Sequence, residues 1–351
     1  MKKHLIAVAA VLLVAVMTAL CLTACDTGNT PADTTVGATE ATPTDAPTAT
    51  PTEEPTAEPT EEEPTMEEIT TAEVTTEEVT TEEVTETPQG GEDHGIVRDG
   101  TPKKYITIRM DDGITQDGRM MEIMRKYGVD CCTFYINTGL FGANWAWVGQ
   151  SFNRPDVTHI RYTRKELQSG IYDGFDVECH TLNHPSLKNY TEKQVTNEVK
   201  RDATNIEKLF GYEPIGLAWP GGDTEWNEQN IVTILETTNV RYGSCTTRNT
   251  QMGLGKFSLP QYFMTWYPTC GFSDADSLTL LDEFLAADCT EDMLFYVWGH
   301  GYELDLFNTW GKFESMIKTI AEAAEKDDSI VLVTNAEFYQ LFKDEIPAWK
   351  E

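Results

Sequence analysis

Two histidines stand four residues apart in the stretch DVECHTLNHPSL, which covers residues 176 to 187. The whole chain has 6 histidines, so the closeness of His180 and His184 suggests a shared task. Two imidazoles separated by about one turn could bind a single metal ion. The alternative is an exposed polar turn ahead of Pro185. The spacing alone leaves both interpretations open.

Two more polar clusters each follow a predicted strand. The stretch RMDDG places Asp111 and Asp112 before Gly113. Neighbouring residues at a strand end point to opposite sides, so the two carboxylates could serve different tasks. The alternative is a solvated turn, because Asp-Gly is common in turns. His300 follows the aromatic run FYVW, where the alternative is a buried histidine satisfied by a hydrogen bond.

Strands and helices alternate in the part of the chain that carries these clusters. Predicted strands cover residues 104–110, 131–137, 175–179, 214–220, 239–245, 293–300 and 329–335. Predicted helices cover residues 118–128, 191–211 (opened by a Thr191–Gln194 capping box), about 227–238 and 309–326. This alternation implies parallel strands with outer helices, in an open sheet or a barrel. About 250 residues suit one (β/α) barrel, in which the carboxyl ends of the strands converge on the active site. Each of the three polar clusters falls at such an end.

The motifs resemble those of the NodB-like polysaccharide deacetylases, carbohydrate esterase family 4, over roughly residues 104 to 340. The family's Thr-Phe-Asp-Asp-Gly motif is similar to residues 109–113, and its His-Ser/Thr-x-x-His motif is intact at residues 180–184. Its late motif, an apolar residue followed by x-His, is similar to residues 298–300. The resemblance implies an α/β fold, a deformed (β/α)7 barrel, as the catalytic domain in residues 98–351.

The same resemblance implies the roles of five residues. Asp112, His180 and His184 would hold a divalent metal, usually Zn²⁺, with Co²⁺, Mn²⁺, Ni²⁺ or Fe²⁺ as alternatives. Two imidazoles and one carboxylate leave positions open for water and substrate. Asp111 would be the general base and His300 the general acid.

The implied reaction is the removal of acetyl groups from nitrogen atoms of an extracellular polysaccharide, such as peptidoglycan or another N-acetylhexosamine polymer. Two alternatives stay open at this point: an O-acetyl esterase acting on xylan-like glycans, and a non-catalytic glycan-binding lipoprotein. A serine hydrolase is disfavoured because the chain has no G-x-S-x-G motif.

Two departures from the family's pattern affect the supporting residues. The third motif normally begins with an arginine that steadies the base, but this chain has LAWPGGD at residues 217–223. Arg109 is the predicted replacement, because it lies two residues before Asp111 on the same strand face. Gly221 is the expected oxyanion donor through its backbone N–H.

The fourth motif also lacks its usual acidic residue, the partner of the catalytic histidine. Glu303, three residues after His300, is the candidate substitute, with a plain surface acid as the alternative. Trp266 and Trp298 are predicted to form walls of the acetyl pocket, with core packing as the alternative for each.

The N-terminus reads as an export and anchoring signal. Two lysines precede a long apolar run in residues 1–24. Leu22-Thr23-Ala24-Cys25 is similar to a bacterial lipobox, which implies a lipid on Cys25. The alternatives are a simple signal peptide and an uncleaved anchor. The lipobox interpretation places the protein on the extracellular face of the cell membrane.

Residues 25–97 form a predicted acidic stalk that projects the domain into the cell wall. Residues 26–97 contain 20 Asp and Glu and no Lys or Arg, and within them Ile69, Val74, Val79 and Val84 recur every five positions. A period of five gives no apolar face on a helix or a strand, so this stalk is predicted to be disordered. The net charge is -32 and no basic stripe occurs, which argues against a nucleic-acid partner. Most cysteines after the stalk are expected to be buried free thiols.

Overall fold

The computed structural model of this protein describes residues 95–350. The predicted signal peptide, the predicted lipidation site Cys25 and nearly all of the predicted stalk lie outside the described residues. The strands are Lys104–Asp112 (β1), Cys132–Ile136 (β2), Asp176–Cys179 (β3), Gly216–Ala218 (β4), Tyr242–Ser244 (β5), Cys270–Gly271 (β6), Met293–Gly299 (β7) and Ile330–Leu332 (β8).

Nine α-helices occur in the described residues. They are Asp117–Tyr127 (α1), Trp147–Ser151 (α2), Arg164–Leu167 (α3), Glu192–Phe210 (α4), Glu228–Thr237 (α5), Ser277–Ala286 (α6), Gly301–Leu306 (α7), Trp310–Lys326 (α8) and Asn335–Phe342 (α9). The predicted capping box is present, since Thr191 and Gln194 exchange hydrogen bonds at the start of α4. Gly128 and Gly211 end α1 and α4 with left-handed φ angles of 69° and 84°. No helix within residues 95–350 is long and apolar enough to cross a membrane.

All the strands are parallel, and they form a sheet in the order β5-β4-β3-β2-β1-β7-β6. A parallel bridge between Ser244 and Trp266 joins β5 to the segment that leads into β6. Its hydrogen bonds run from the Trp266 N–H to the Gly243 carbonyl and from the Cys245 N–H to the Trp266 carbonyl, both 2.9 Å. The two edges of the sheet are thereby linked, which confirms the deformed (β/α)7 barrel. The eighth strand, β8, pairs only with the first three residues of β1.

Side-chain alternation along β1 separates two cores. Ile106, Ile108 and Met110 pack in the larger apolar cluster that also includes helix residues. Tyr105 instead joins a second cluster rich in aromatic residues, in the barrel interior. Arg109 and Asp111 share the parity of Tyr105, so they point to the same side of the strand. The charged pair Arg109 and Asp111 therefore lies inside the barrel, next to the aromatic cluster.

Every described cysteine is a free thiol, as expected. Five are buried, namely Cys131, Cys132, Cys179, Cys245 and Cys270, and Cys289 is partly exposed. Burial raises the pKa of each of the five buried thiols, so they stay protonated and pack as small apolar groups.

Candidate active site

Three side chains from two strand ends meet at the carboxyl end of the barrel. Asp112 is the last residue of β1, and His180 and His184 follow β3. The Nε2 atoms of both histidines lie 3.6 Å from Asp112 Oδ1. One ligand atom from each of the three residues lies within 4.8 Å of those of the other two. The geometry therefore makes this cluster a candidate metal centre.

His180 is held in the tautomer that a metal ligand needs. Its Nδ1 lies 2.8 Å from the Ala218 carbonyl oxygen, which can only accept a hydrogen bond. The proton is therefore on Nδ1, and the lone pair is on Nε2. That Nε2 atom is buried and has no hydrogen-bond partner among the described residues. Burial also lowers the pKa of His180, which keeps the imidazole neutral. These features fit a bound cation.

The two histidines lie in an irregular turn rather than on a helix. Thr181 and His184 have left-handed φ angles of 65° and 53°, and the His184 N–H donates to Thr181 Oγ1 at 3.1 Å. A left-handed backbone is uncommon for a β-branched residue such as Thr181, and such outliers cluster at functional sites. Burial, followed by the proximity of His180, lowers the pKa of His184 to about 3. The exposed-turn alternative does not fit, because His180 is only 1% exposed.

Asp112 is fixed by two residues that are not among the sequence predictions, His159 and Arg161. His159 Nε2 lies 2.8 Å from Asp112 Oδ2, and Arg161 donates to Asp112 Oδ1 at 2.9 Å. Burial opposes ionisation of Asp112, but His159 and then Arg161 outweigh it and hold the carboxyl pKa well below its usual range. His159 and Arg161 lie in the long segment between β2 and β3, where no periodic pattern marks them. In the sequence, only their residue types, a histidine and an arginine, could have marked them as candidate site residues.

Asp111 is paired with Arg109, the predicted replacement for the arginine that the third motif lacks. Arg109 Nε donates to Asp111 Oδ1 at 2.7 Å, and Arg109 Nη2 donates to the other carboxylate oxygen. Arg109 Nη1 also donates to the Cys245 carbonyl at 2.6 Å, so the guanidinium is fixed from both sides. Burial alone would raise the pKa of Asp111, but Arg109 and then His180 lower it below the usual value.

His300 lies at the end of β7 and approaches the same cluster. Its Nε2 is 3.8 Å from Asp112 Oδ2, and its Nδ1 is 2.9 Å from Glu303 Oε1. Burial opposes the charged imidazole, but the Glu303 hydrogen bond and then Asp112 raise the pKa of His300 to about 9. Tyr302 stacks on the His300 ring at 5.1 Å, and Trp298 meets it edge-on at 5.5 Å. The imidazole is therefore protonated at neutral pH and held in one orientation.

The remaining predicted residues separate into two groups. Trp298 contacts the site, as just described. Trp266 is fully buried and packs against Tyr296 and Phe338 at centroid distances of 4.8 and 4.9 Å. Core packing therefore describes Trp266 better than a pocket wall. Gly221 lies in the turn after β4 with φ 75°, and its role as an oxyanion donor stays a prediction.

Fold and site together define a (β/α) barrel with a candidate metal centre at the carboxyl ends of its strands. The polysaccharide deacetylase family model matches residues 98–243, which include β1 to β4, most of β5 and all three candidate ligands. The match confirms the predicted resemblance to polysaccharide deacetylases over these residues. Comparison with curated protein sequences found no match.

Three solved structures illustrate the similarity. The Streptomyces lividans family 4 carbohydrate esterase, in complex with acetate, is 12% identical with a TM-score of 0.39, covering 66% of this chain and 92% of that one. A family 4 domain of a multidomain xylanase from a Trinervitermes trinervoides hindgut metagenome is 15% identical with a TM-score of 0.39, covering 71% and 95%. The Streptococcus pyogenes deacetylase PplD, in complex with acetate, is 19% identical with a TM-score of 0.32, covering 40% and 56%. The match to PplD thus spans little more than half of that protein.

Proposed function

We propose that this protein is a metal-dependent deacetylase that hydrolyses acetamide groups on an N-acetylated polysaccharide. One observation carries the proposal: the Asp112–His180–His184 cluster is accompanied by a carboxylate and an imidazole outside it. The carboxylate is Asp111, next to Asp112 in the chain and paired with Arg109, and the imidazole is His300, whose Nε2 lies 3.8 Å from Asp112 Oδ2. A binding protein has no need for this acid and base pair. The match of residues 98–243 to the polysaccharide deacetylase family model supports the substrate class.

The donor set of the cluster suits Zn²⁺, with Co²⁺, Mn²⁺, Ni²⁺ or Fe²⁺ as substitutes. A metal bound by Asp112, His180 and His184 would polarise the acetyl carbonyl and lower the pKa of a nearby water. The low pKa values of the three side chains keep all of them in the form that binds a cation.

Asp111 and His300 divide the proton transfers. Asp111 takes a proton from the attacking water, whose oxygen bonds to the acetyl carbon. Arg109 keeps Asp111 ionised and fixes its orientation. His300 gives its Nε2 proton to the leaving nitrogen as the C–N bond breaks, which releases acetate and an amine. Glu303 holds the other ring nitrogen and favours the charged imidazole.

We further propose that the domain works outside the cell, anchored by a lipid on Cys25 and carried by the acidic stalk of residues 25–97. Supporting this are the apolar leader, the lipobox-like sequence and the charge pattern. Cell-wall peptidoglycan would then be within reach. Loss of membrane association in Cys25→Ser, measured by fractionation, tests the anchor.

An acetate-release assay tests the reaction. The metal-loaded protein should release acetate from N-acetylglucosamine oligomers faster than from acetylated xylan. The Asp111→Asn variant should release acetate from these oligomers far more slowly than the wild type. Faster release from acetylated xylan would instead establish the O-acetyl esterase alternative. Saccharide binding without acetate release, at any metal loading, would establish the non-catalytic alternative.

A further inference from the structure

The segment between β2 and β3 places one arginine between the candidate ligands of the two strand ends. Arg161 is 2% exposed. Its Nη2 donates to Asp112 Oδ1 at 2.9 Å and to Asn137 Oδ1 at 3.0 Å, and its Nε donates to Asn137 Oδ1 at 3.2 Å. The guanidinium therefore bridges the carboxylate at the end of β1 and the amide that follows β2.

Asn137 continues this bridge to the histidine turn. Its Nδ2 donates to the His180 carbonyl at 2.5 Å and to the Thr181 carbonyl at 3.0 Å. These two carbonyls belong to the turn with left-handed Thr181 and His184. An unbroken chain of hydrogen bonds thus runs from Asp112 through Arg161 and Asn137 to the backbone that presents both histidines.

An aromatic side chain holds the plane of this guanidinium. The Arg161 carbon Cζ lies 3.8 Å from the centroid of the Trp145 ring. The same ring lies 5.4 Å from the ring of His159 and meets His184 edge-on at 5.3 Å. Trp145 thus packs against both residues that fix Asp112 and against one of the histidines.

We propose that Arg161 is a positioning residue that fixes the relative geometry of all three metal ligands through Asn137, with His159 securing the second oxygen of Asp112. The inference rests on the metal site of the proposed function. The planar fork of arginine can serve two acceptors at once, which the point charge of lysine cannot do in the same way. Residues that orient ligands in this manner influence metal affinity about 10- to 100-fold.

The test measures Zn²⁺ affinity of the full chain by competition with a chromophoric chelator. Arg161→Met and Arg161→Lys should each weaken Zn²⁺ binding about 10- to 100-fold. Arg164→Met is the matched control, because Arg164 lies three residues further on, is exposed and contacts Phe141. The control should bind Zn²⁺ as the wild type does. The visible spectrum of the Co²⁺-loaded chain should change in the two Arg161 variants and not in the control.

The direction of the change in Zn²⁺ affinity distinguishes a positioning role of Arg161 from a purely electrostatic one. Removing a positive charge beside a ligand carboxylate should strengthen cation binding on Coulomb grounds alone. Unchanged or tighter binding in a folded Arg161→Met chain overturns the proposal, and so does wild-type affinity in Arg161→Lys. If circular dichroism shows that both Arg161 variants are unfolded, Asn137→Asp decides. That variant keeps an acceptor for Arg161 but loses the donors to the histidine turn, so weaker binding supports the proposal and unchanged binding overturns it.

The same titration separates this inference from the proposed function. A wild-type chain that binds Zn²⁺ but releases no acetate contradicts the deacetylase activity and leaves the role of Arg161 open to the affinity measurement. A wild-type chain that binds no divalent metal overturns both.

Discussion

Asp111 and Asp112 are neighbours in the chain, yet their surroundings come from different parts of the molecule. Asp111 points toward the barrel interior and pairs with Arg109 of its own strand. Asp112 has a left-handed φ of 83° and meets His159 and Arg161, more than forty residues away. Each carboxylate is held by an arginine, but one partner is local and the other depends on the folding of a long loop.

The difference teaches how two identical side chains acquire different tasks. The reversed φ at Asp112 turns its carboxylate toward His180 and His184, while Asp111 keeps the regular strand direction. His159 and Arg161 hold the pKa of Asp112 well below its usual range, which suits a permanent ligand. Burial also opposes ionisation of Asp111, but Arg109 lowers its pKa below the usual value, less far than the pKa of Asp112 is lowered. Asp111 therefore stays ionised at neutral pH, as a base must be before it accepts a proton.

The largest expected effect is the loss of activity when Asp111 is substituted. Asp111→Asn removes the base, so acetate release should fall by roughly 10²- to 10⁴-fold. Zn²⁺ affinity should stay close to that of the wild type, because Asp111 is outside the ligand cluster. Steady-state acetate release and Zn²⁺ titration of the same preparation check both parts. Parallel loss of activity and affinity would erase the distinction between the two residues.

Substitution of Asp112 should instead weaken Zn²⁺ binding. Asp112→Asn removes the only carboxylate of the cluster, so Zn²⁺ affinity should fall by more than the roughly 100-fold seen for outer partners of metal ligands. Chelator competition provides the measurement, with Asp173→Asn, an exposed aspartate outside the cluster, as a control. If Asp112→Asn kept wild-type affinity, the ligand assignment would be wrong.

Arg109→Met should change the pH dependence of the base. Arg109 lowers the pKa of Asp111, so its removal raises that pKa and leaves less ionised base at low pH. The acid limb of the pH–rate profile should therefore move to higher pH. The buried carboxylate also loses its partner, which should lower the free energy of unfolding by about 3–5 kcal/mol. If the thermal melt shows that the variant is folded and the acid limb does not move, the pairing with Arg109 does not determine the pKa of Asp111.

Glu303→Gln should have the smallest effect on activity, and that effect should appear on the alkaline limb of the pH–rate profile. Glu303 favours the protonated form of His300, whose pKa lies at about 9, so its loss lowers that pKa. The acid form is then lost earlier as pH rises, and the alkaline limb should move to lower pH. Activity below neutral pH should change little. Glu322→Gln, an exposed glutamate on α8, is the control, and equal alkaline limbs in the two variants would make Glu303 a plain surface acid.

The parts of the site that sequence reasoning could predict are those encoded within a few residues. The polar clusters at the ends of β1, β3 and β7 follow from strand patterns and from the rule that parallel strands share one carboxyl end. The Arg109–Asp111 contact follows from a spacing of two along one strand face. The Glu303–His300 contact is also local, because the chain turns into α7 directly after His300.

The parts that could not be predicted depend on tertiary contacts. Arg161 and His159 lie in a segment without apolar periodicity, so no local rule brings them to Asp112. The left-handed turn of His180 to His184 is stabilised by Asn137, from a different strand end. Trp266 illustrates the opposite case: its type suggested a pocket, but the bridge to Ser244 draws it into the buried core.

Metal dependence can be measured as acetate release from N-acetylglucosamine oligomers while Zn²⁺ is added back to the chelator-treated chain. We expect no release without metal and a rise that levels off at one equivalent of Zn²⁺. We expect no rise in a chain that carries both His180→Ala and His184→Ala. Release that is independent of added metal, or that persists in the double variant, would contradict a metal-dependent deacetylase built on Asp112, His180 and His184.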